Sequence, residues 1–279
     1  MGFNLNLLSK AICIQITNLC NLSCSGCNQL VDVVPANKRF LISLEEFNTV
    51  LSTVLEIADQ TWNESWYPQR NKYIALYGGE PTIHPEFSAI LEICKTHPTV
   101  PFVVFTNGRT FPDESAYTST GYEEFMYLVG PTRPLIVSHD KNIFWRVHRK
   151  TPGMKFVTTL DAACDMPQYA GIPHDMFPEL AMNHCRLINQ TSCEVMIHNG
   201  KGYVCDISSA MDQTFGNGSN GWPLSVDMFC KTTEEMLEQL KPFCYRCHYC
   251  QPNLVDIDLT LPAVISPTNQ EALSNDNTP

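Results

Sequence analysis

Three cysteines, Cys20, Cys24 and Cys27, fall within eight positions of the stretch TNLCNLSCSGCNQL, residues 17–30. Thiolates are soft ligands suited to zinc, copper(I) and iron–sulfur clusters, so a Cys-x3-Cys-x2-Cys spacing on one loop reads as metal chemistry. A closed tetrahedral site needs a fourth protein ligand, and none comes at once: Asn28, Gln29 and Leu30 are next. Three thiolates can instead hold three irons of a 4Fe-4S cluster and leave the fourth open to a small molecule.

The other cysteines fit the same chemistry. The chain has 13 of them in 279 residues. An odd count sits badly with a disulfide framework, and the start MGFNLNLLSKAICIQI lacks the basic, apolar and small-residue regions of a secretory signal. No later stretch is apolar for the roughly 18 residues of a membrane span. The expectation is a cytoplasmic protein, not membrane-bound, whose thiols serve ligation. A net charge of −11 argues against a nucleic-acid partner. The one basic cluster, RVHRK at 146–150, reads as a solvated helix face.

Hydrophobic periodicity indicates the elements that position these residues. AICIQIT (11–17) is a short apolar strand leading directly into the cysteine triplet. SLEEFNTVLSTVLEIA opens with the capping box Ser43 and Glu46, then places Leu44, Phe47, Val50, Leu51, Val54 and Leu55 on one helical face. KYIALYGGEP (72–81) is a buried strand ending in a Gly-Gly turn, PEFSAILEICKTH a second helix, and VPFVVFTNG (100–108) another strand closing on a turn. Next come a helix around GYEEFMYLV, a strand PLIVSHD (134–140) and a strand MKFVTTLD (154–161). In the insert QTWNESWYPQRN (60–71), Trp62, Trp66 and Tyr67 suit either an exposed surface or a cap.

Strands alternating with helices imply an α/β fold with a parallel sheet, in which the turns at the carboxyl ends of the strands carry the chemistry. The triplet, GGEP, TNG and SHD are all expected at those ends. After about residue 180 the texture changes. VMIHNGKGYV is a hairpin with Asn199-Gly200 at its turn, and a helix TTEEMLEQLKPF delivers CYRCHYC at 244–250. From about 256 the chain reads as a loose tail.

CNLSCSGC after a first strand, YGGEP after a second and FTNG after a third resemble the radical S-adenosylmethionine (SAM) enzymes over roughly residues 11–160. The resemblance implies a partial (β/α)6 barrel over residues 1–180. It also implies a 4Fe-4S cluster on Cys20, Cys24 and Cys27 whose open iron chelates SAM. One electron from that cluster would cleave SAM to methionine and a 5′-deoxyadenosyl radical, which abstracts hydrogen from a substrate. Tyr77, Gly78, Gly79, Glu80, Thr106, Asn107, Ser138 and Asp140 match the positions at which the family contacts SAM. Gly78 and Gly79 suit close backbone approach and Glu80 suits a cationic ammonium. One departure is Gly26, which stands where the family often has an aromatic residue beside the third cysteine.

Residues 181–255 are similar to the Cys-rich auxiliary-cluster regions (twitch and SPASM) of the same enzymes, built from a β-hairpin and a helix. One further 4Fe-4S cluster on Cys185, Cys205, Cys244 and Cys247 is the expectation, with Cys193 and Cys250 as alternates; zinc would satisfy the same ligands. Three functions stay open: oxidation of a substrate, by dehydrogenation or crosslinking, with the auxiliary cluster taking an electron; redox-neutral epimerisation; and a non-enzymatic iron–sulfur or zinc protein. The expected partners are a small-molecule or short-peptide substrate and an electron donor such as flavodoxin or ferredoxin.

Overall fold

A computed structural model of the chain describes residues 11–22, 27, 29–31, 34–62, 72–107, 117–118, 135–138, 142–147 and 194–244. Within these, the strands are β1 (Ala11–Thr17), β2 (Tyr73–Gly78), β3 (Phe102–Thr106), β4 (Tyr117–Thr118), β5 (Leu135–Ser138), β6 (Ile143–Val147), β7 (Glu194–His198), β8 (Lys201–Tyr203) and β9 (Trp222–Pro223). The helices are α1 (Leu44–Thr61), α2 (Phe87–Lys95), α3 (Asp206–Thr214) and α4 (Thr233–Cys244).

These strands join one mixed sheet in the order β4-β5-β6-β3-β2-β1-β7-β8-β9. Its centre, β6-β3-β2-β1-β7, is parallel, and both margins are antiparallel. The parallel pairs β1–β2 and β2–β3 are joined through α1 and α2, as parallel pairing requires a crossover. The expected α/β class is therefore present.

Strand β1 explains how the sheet is buried on both sides. Its side chains alternate, so Ile12, Ile14 and Ile16 join the core that contains Phe47, Val50, Val54 and Ile57 of α1 and Ile90 of α2. Ala11 and Cys13 join a second core with Ala75, Val103, Phe144, Met196 and Tyr203. Burial on both faces is what produces the near-continuous apolar runs of parallel strands. Cys13 and Cys94 are fully buried in these cores, as small apolar side chains are expected to be. Burial pushes the Cys94 thiol pKa well up.

Helix α1 begins where the capping box predicts. Ser43 Oγ accepts from Glu46 N at 3.2 Å, and Ser43 N donates back to Glu46 Oε2 at 2.9 Å. The hairpin between β7 and β8 turns at Asn199 (φ 48°) and Gly200 (φ 67°), both in the left-handed region a tight turn needs.

Two expectations are corrected. Arg146 and Val147 belong to strand β6, parallel to β3, so this part of RVHRK is no helix face. Strand β5 runs antiparallel to β6, with Leu135 opposite Arg146 and Val137 opposite Phe144. Ser138 thus lies at the end of the sheet where β3 and β6 begin, away from the rim shared by the other motifs. Of the two readings open for Trp62, the exposed surface does not hold: the residue is 2% exposed and packs in the core with α1. Asp140, the helix expected around GYEEFMYLV, the strand expected at 154–161, Trp66, Tyr67 and the tail lie outside the described residues.

Replacing Ser43 with alanine removes one side of the capping box. The expected outcome in urea denaturation is a loss of about 1 kcal/mol of unfolding free energy with an unchanged slope.

Candidate functional site

The chain leaving β1 is clamped before it reaches Cys20. Residues 40–42 return antiparallel to it: Thr17 bridges Leu41, and Ile42 N donates to Ile16 O at 2.9 Å. Asn18 pins both sides, its Nδ2 donating to Lys38 O at 2.9 Å and its Oδ1 accepting from Phe40 N at 2.7 Å. The cysteine triplet therefore sits in a loop whose two ends are closed against each other.

The Gly78-Gly79-Glu80 turn packs on the same segment. Gly79 N donates to Thr17 O at 3.0 Å and Glu80 N to Leu19 O at 2.7 Å. A Cβ on Gly78 would lie 1.9 Å from Thr17 O, and one on Gly79 would lie 2.0 Å from Leu19 O. Gly78 also has φ 144°, a conformation other residues rarely adopt. The close approach that needs these glycines is thus to the backbone just ahead of Cys20.

Glu80 is completely buried. Its Oε1 accepts from Thr82 N at 3.1 Å, Thr82 Oγ1 at 2.6 Å and Thr106 Oγ1 at 2.6 Å, while Oε2 accepts from Asn107 N at 2.6 Å. Burial raises its pKa above the ordinary carboxylate value, and the donors from Asn107, Thr106 and Thr82 oppose that rise. The carboxylate ties the end of β2 to the end of β3.

From β3 the contact passes to the cysteine loop. Asn107 Nδ2 donates to Asn21 Oδ1 at 2.8 Å and to Cys20 Sγ at 3.8 Å. Leu22 N also donates to Cys20 Sγ, at 3.4 Å. Cys20 is 6% exposed and packs with Leu22, Val31 and the half-buried Cys27. Cys27 O accepts from Leu30 N at 3.1 Å. Three of the expected motifs, at the ends of β1, β2 and β3, are therefore in mutual contact.

A polar chain, buried at Gln15, Gln29 and Gln213 and half-buried at Tyr77 and Asp206, runs beside this loop. Gln15 Nε2 donates to Gln29 Oε1 at 3.2 Å, and Gln29 Nε2 to Tyr77 Oη at 3.4 Å. Tyr77 Oη donates to Asp206 Oδ2 at 3.4 Å, and Gln213 Nε2 to Gln15 Oε1 at 2.8 Å. Tyr77 also stacks edge-on against Phe105, with ring centroids 5.3 Å apart. Lys38 Nζ caps the carboxyl end of α3 through Thr214 O at 3.1 Å and Gly216 O at 2.5 Å. Cys205, buried, is the residue just before α3. Cys244 ends α4, whose Gln239 holds Gly202 O of β8 at 3.0 Å and, just past the strand, Val204 N at 2.9 Å.

Two histidines lie nearby. His84 Nδ1 accepts from Glu86 N at 3.1 Å, so its Nε2–H donates to Ile42 O at 2.9 Å. That bonding is a helix-start role, and burial lowers its pKa. His198 ends β7 with its ring 4.6 Å from that of Phe40. Its Nδ1 is buried with no partner among the described residues, and burial, aided by Lys201, lowers its pKa to about 4.

Of the expected ligands, Cys24, Cys185, Cys193, Cys247 and Cys250 lie outside the described residues, as does Gly108. Among the described residues no three His, Cys, Asp or Glu side chains form a metal-binding group. Sequence pattern does not single out Asn21, Gln15, Gln29, Lys38 or Gln213. The signal available for Gln15 is a polar residue inside an otherwise apolar strand. No family model and no curated protein matches the chain.

Gly79→Ala is expected to cost more than about 3 kcal/mol, because Leu19 backbone occupies the space; Gly200→Ala, with nothing within 4 Å, costs about 1 kcal/mol of left-handed strain. Urea denaturation of both variants checks the contrast. His198 must be neutral in the folded chain, so its contribution is complete above the unfolded pKa of about 6.5 and is lost as pH falls toward about 4. Between pH 7.5 and pH 5 the wild type is expected to lose about 1–2 kcal/mol from this residue. His198→Phe, which keeps a ring against Phe40, flattens that slope.

Proposed function

We propose that this chain is a radical SAM enzyme of the cytoplasm, its parallel strands forming part of a partial (β/α)6 barrel. The observation that carries the reading is the Asn107–Cys20–Asn21 contact. It joins the third-strand turn to the cysteine loop, while Glu80 joins that same turn to the Gly-Gly turn. Three separate sequence motifs thereby become one constellation at one end of a parallel sheet, where α/β folds carry their chemistry.

The donor set at Cys20 suits an iron–sulfur ligand. Two N–H groups point at its sulfur and stabilise a thiolate against the cost of its burial, while shielding from water protects a cluster from solvent. Cys20, Cys24 and Cys27 would hold a 4Fe-4S cluster with one iron left to SAM. When bound, that pair of cofactors supplies a 5′-deoxyadenosyl radical able to take hydrogen from a substrate.

The chain's own residues do the positioning. Gly78 and Gly79 keep the Thr17–Leu19 backbone in place, and Glu80 fixes the backbone of Asn107 beside the loop. Residues 181–255 would hold one auxiliary cluster on Cys205, Cys244 and Cys247 with Cys185, and such a cluster would supply an electron acceptor for a net oxidation of the substrate. The substrate is a small molecule or short peptide, and a flavodoxin or ferredoxin supplies the electron for SAM cleavage. Among the described residues no helix is long and apolar enough to cross a membrane.

Anaerobic reconstitution tests the reading. About eight irons per chain are expected, falling to about four when Cys20, Cys24 and Cys27 are replaced by alanine. Reduction with SAM should release 5′-deoxyadenosine from the wild type and none from that variant. No release from iron-loaded wild type overturns the enzyme. Solvent deuterium incorporated into product selects epimerisation over oxidation.

A further inference from the structure

Asn107 has two separate attachments at the rim. Its backbone N–H donates to Glu80 Oε2 at 2.6 Å, a bond that any side chain at this position would keep. Its side-chain amide turns into the cysteine loop, where Nδ2 lies 2.8 Å from Asn21 Oδ1 and 3.8 Å from Cys20 Sγ. A carboxamide nitrogen carries two N–H bonds that diverge, so one atom can serve both acceptors. The bond to Asn21 aims the amide, and the second N–H then falls on the sulfur.

Leu22 N, 3.4 Å from the same sulfur, is a donor from within the cysteine's own loop. The Asn107 amide arrives instead from a strand end 87 residues further along the chain. It is therefore the contact that tells the cysteine loop where β3 is. A hydrogen bond to a ligating sulfur stabilises negative charge there and favours the reduced form of the centre, which carries one electron more.

We propose that Asn107 is the positioning residue of Cys20, its side-chain amide holding the sulfur as a hydrogen-bonded ligand and raising the reduction potential of the iron–sulfur centre bound by the loop. The proposal rests on the cluster reading of Cys20, Cys24 and Cys27 and assigns the Asn107 amide to the cluster side of the site. The residue acts through Cys20 and is not a catalytic residue.

The test is a redox titration of anaerobically reconstituted full-length protein, wild type, Asn107→Leu and Asn107→Asp, monitored by electron paramagnetic resonance without SAM. Leucine removes the donor at similar size, and aspartate replaces it with a like charge. The midpoint is expected to become more negative in Asn107→Leu and more negative again in Asn107→Asp, with altered spectra in both. Loss of iron from both variants with a native circular dichroism spectrum also supports the proposal. Unchanged midpoints and spectra in both overturn it, and so does loss of native structure in both, which would make Asn107 a residue of the fold. Wild-type protein that takes up no iron overturns the cluster reading itself, a result separate from iron-loaded variants that match wild type.

Discussion

Two backbone hydrogen bonds carry the β1–β2 pairing beyond the ends of the strands, and the rim depends on them. Gly79 N–H reaches Thr17 O, and Glu80 N–H reaches Leu19 O. Ordinary residues cannot make this approach, because a Cβ at position 78 or 79 would fall about 2 Å from a carbonyl oxygen. The register of β1 shifts between Gln15 and Thr17, so the chain enters the cysteine loop at an angle set by this contact. Docking of the loop base then determines where the Glu80 side chain starts, and so where β3 ends.

That docking creates an electrostatic arrangement in which each buried polar group supports the next. A fully buried carboxylate is costly unless donors surround it, and Glu80 has Thr82, Thr106 and Asn107. With its backbone held by Glu80, Asn107 directs its amide to Asn21 and Cys20. Such networks are high-stakes. Satisfied, they specify one geometry; with one member removed, the remaining buried groups are left to bear the desolvation cost. The same reasoning explains why Thr106, with its hydroxyl committed to Glu80, acts here as part of the frame.

Much of this architecture is legible in the sequence, for identifiable reasons. Strong local signals do well: the Ser43–Glu46 box sets the start of α1, the Asn199-Gly200 pair sets the hairpin turn, and the apolar run ending in Gly-Gly sets β2. Pairing direction is not legible, because it is a non-local property. The IVS segment of β5 looks like any buried strand, and only its partner β6 reveals that Ser138 lies at the opposite end of the sheet. Helix α3 escapes a periodicity search because DISSAMDQT is dominated by small and polar residues. Its polar side chains have internal partners, such as Gln213 on Gln15 and Ser209, which periodicity cannot display. The motif residues are recognisable by type and spacing, whereas the connectors Asn21, Gln29 and Lys38 gain meaning only from what they touch.

The placement of β7 has a consequence for how the two cysteine-bearing parts of the chain relate. Strands β1, β2, β3 and β6 extend the parallel sheet one way from β1, and β7 is added in parallel on the other side. The topology therefore changes direction at β1, the strand that feeds the cysteine loop, and such switch points open the crevice in which α/β proteins bind ligands. The C-terminal segment is hydrogen-bonded to the elements at that position. Lys38 from the loop base caps α3, Gln213 of α3 holds Gln15 of β1, and Asp206, next to Cys205, accepts from Tyr77 of β2. A displacement of α3 would disturb Gln15, and through it Gln29, two residues beyond Cys27. Asp206, the neighbour of Cys205, and the base of the cysteine loop are thus joined by a continuous run of side-chain hydrogen bonds, from Asp206 through Tyr77 and Gln29 to Gln15 and Gln213.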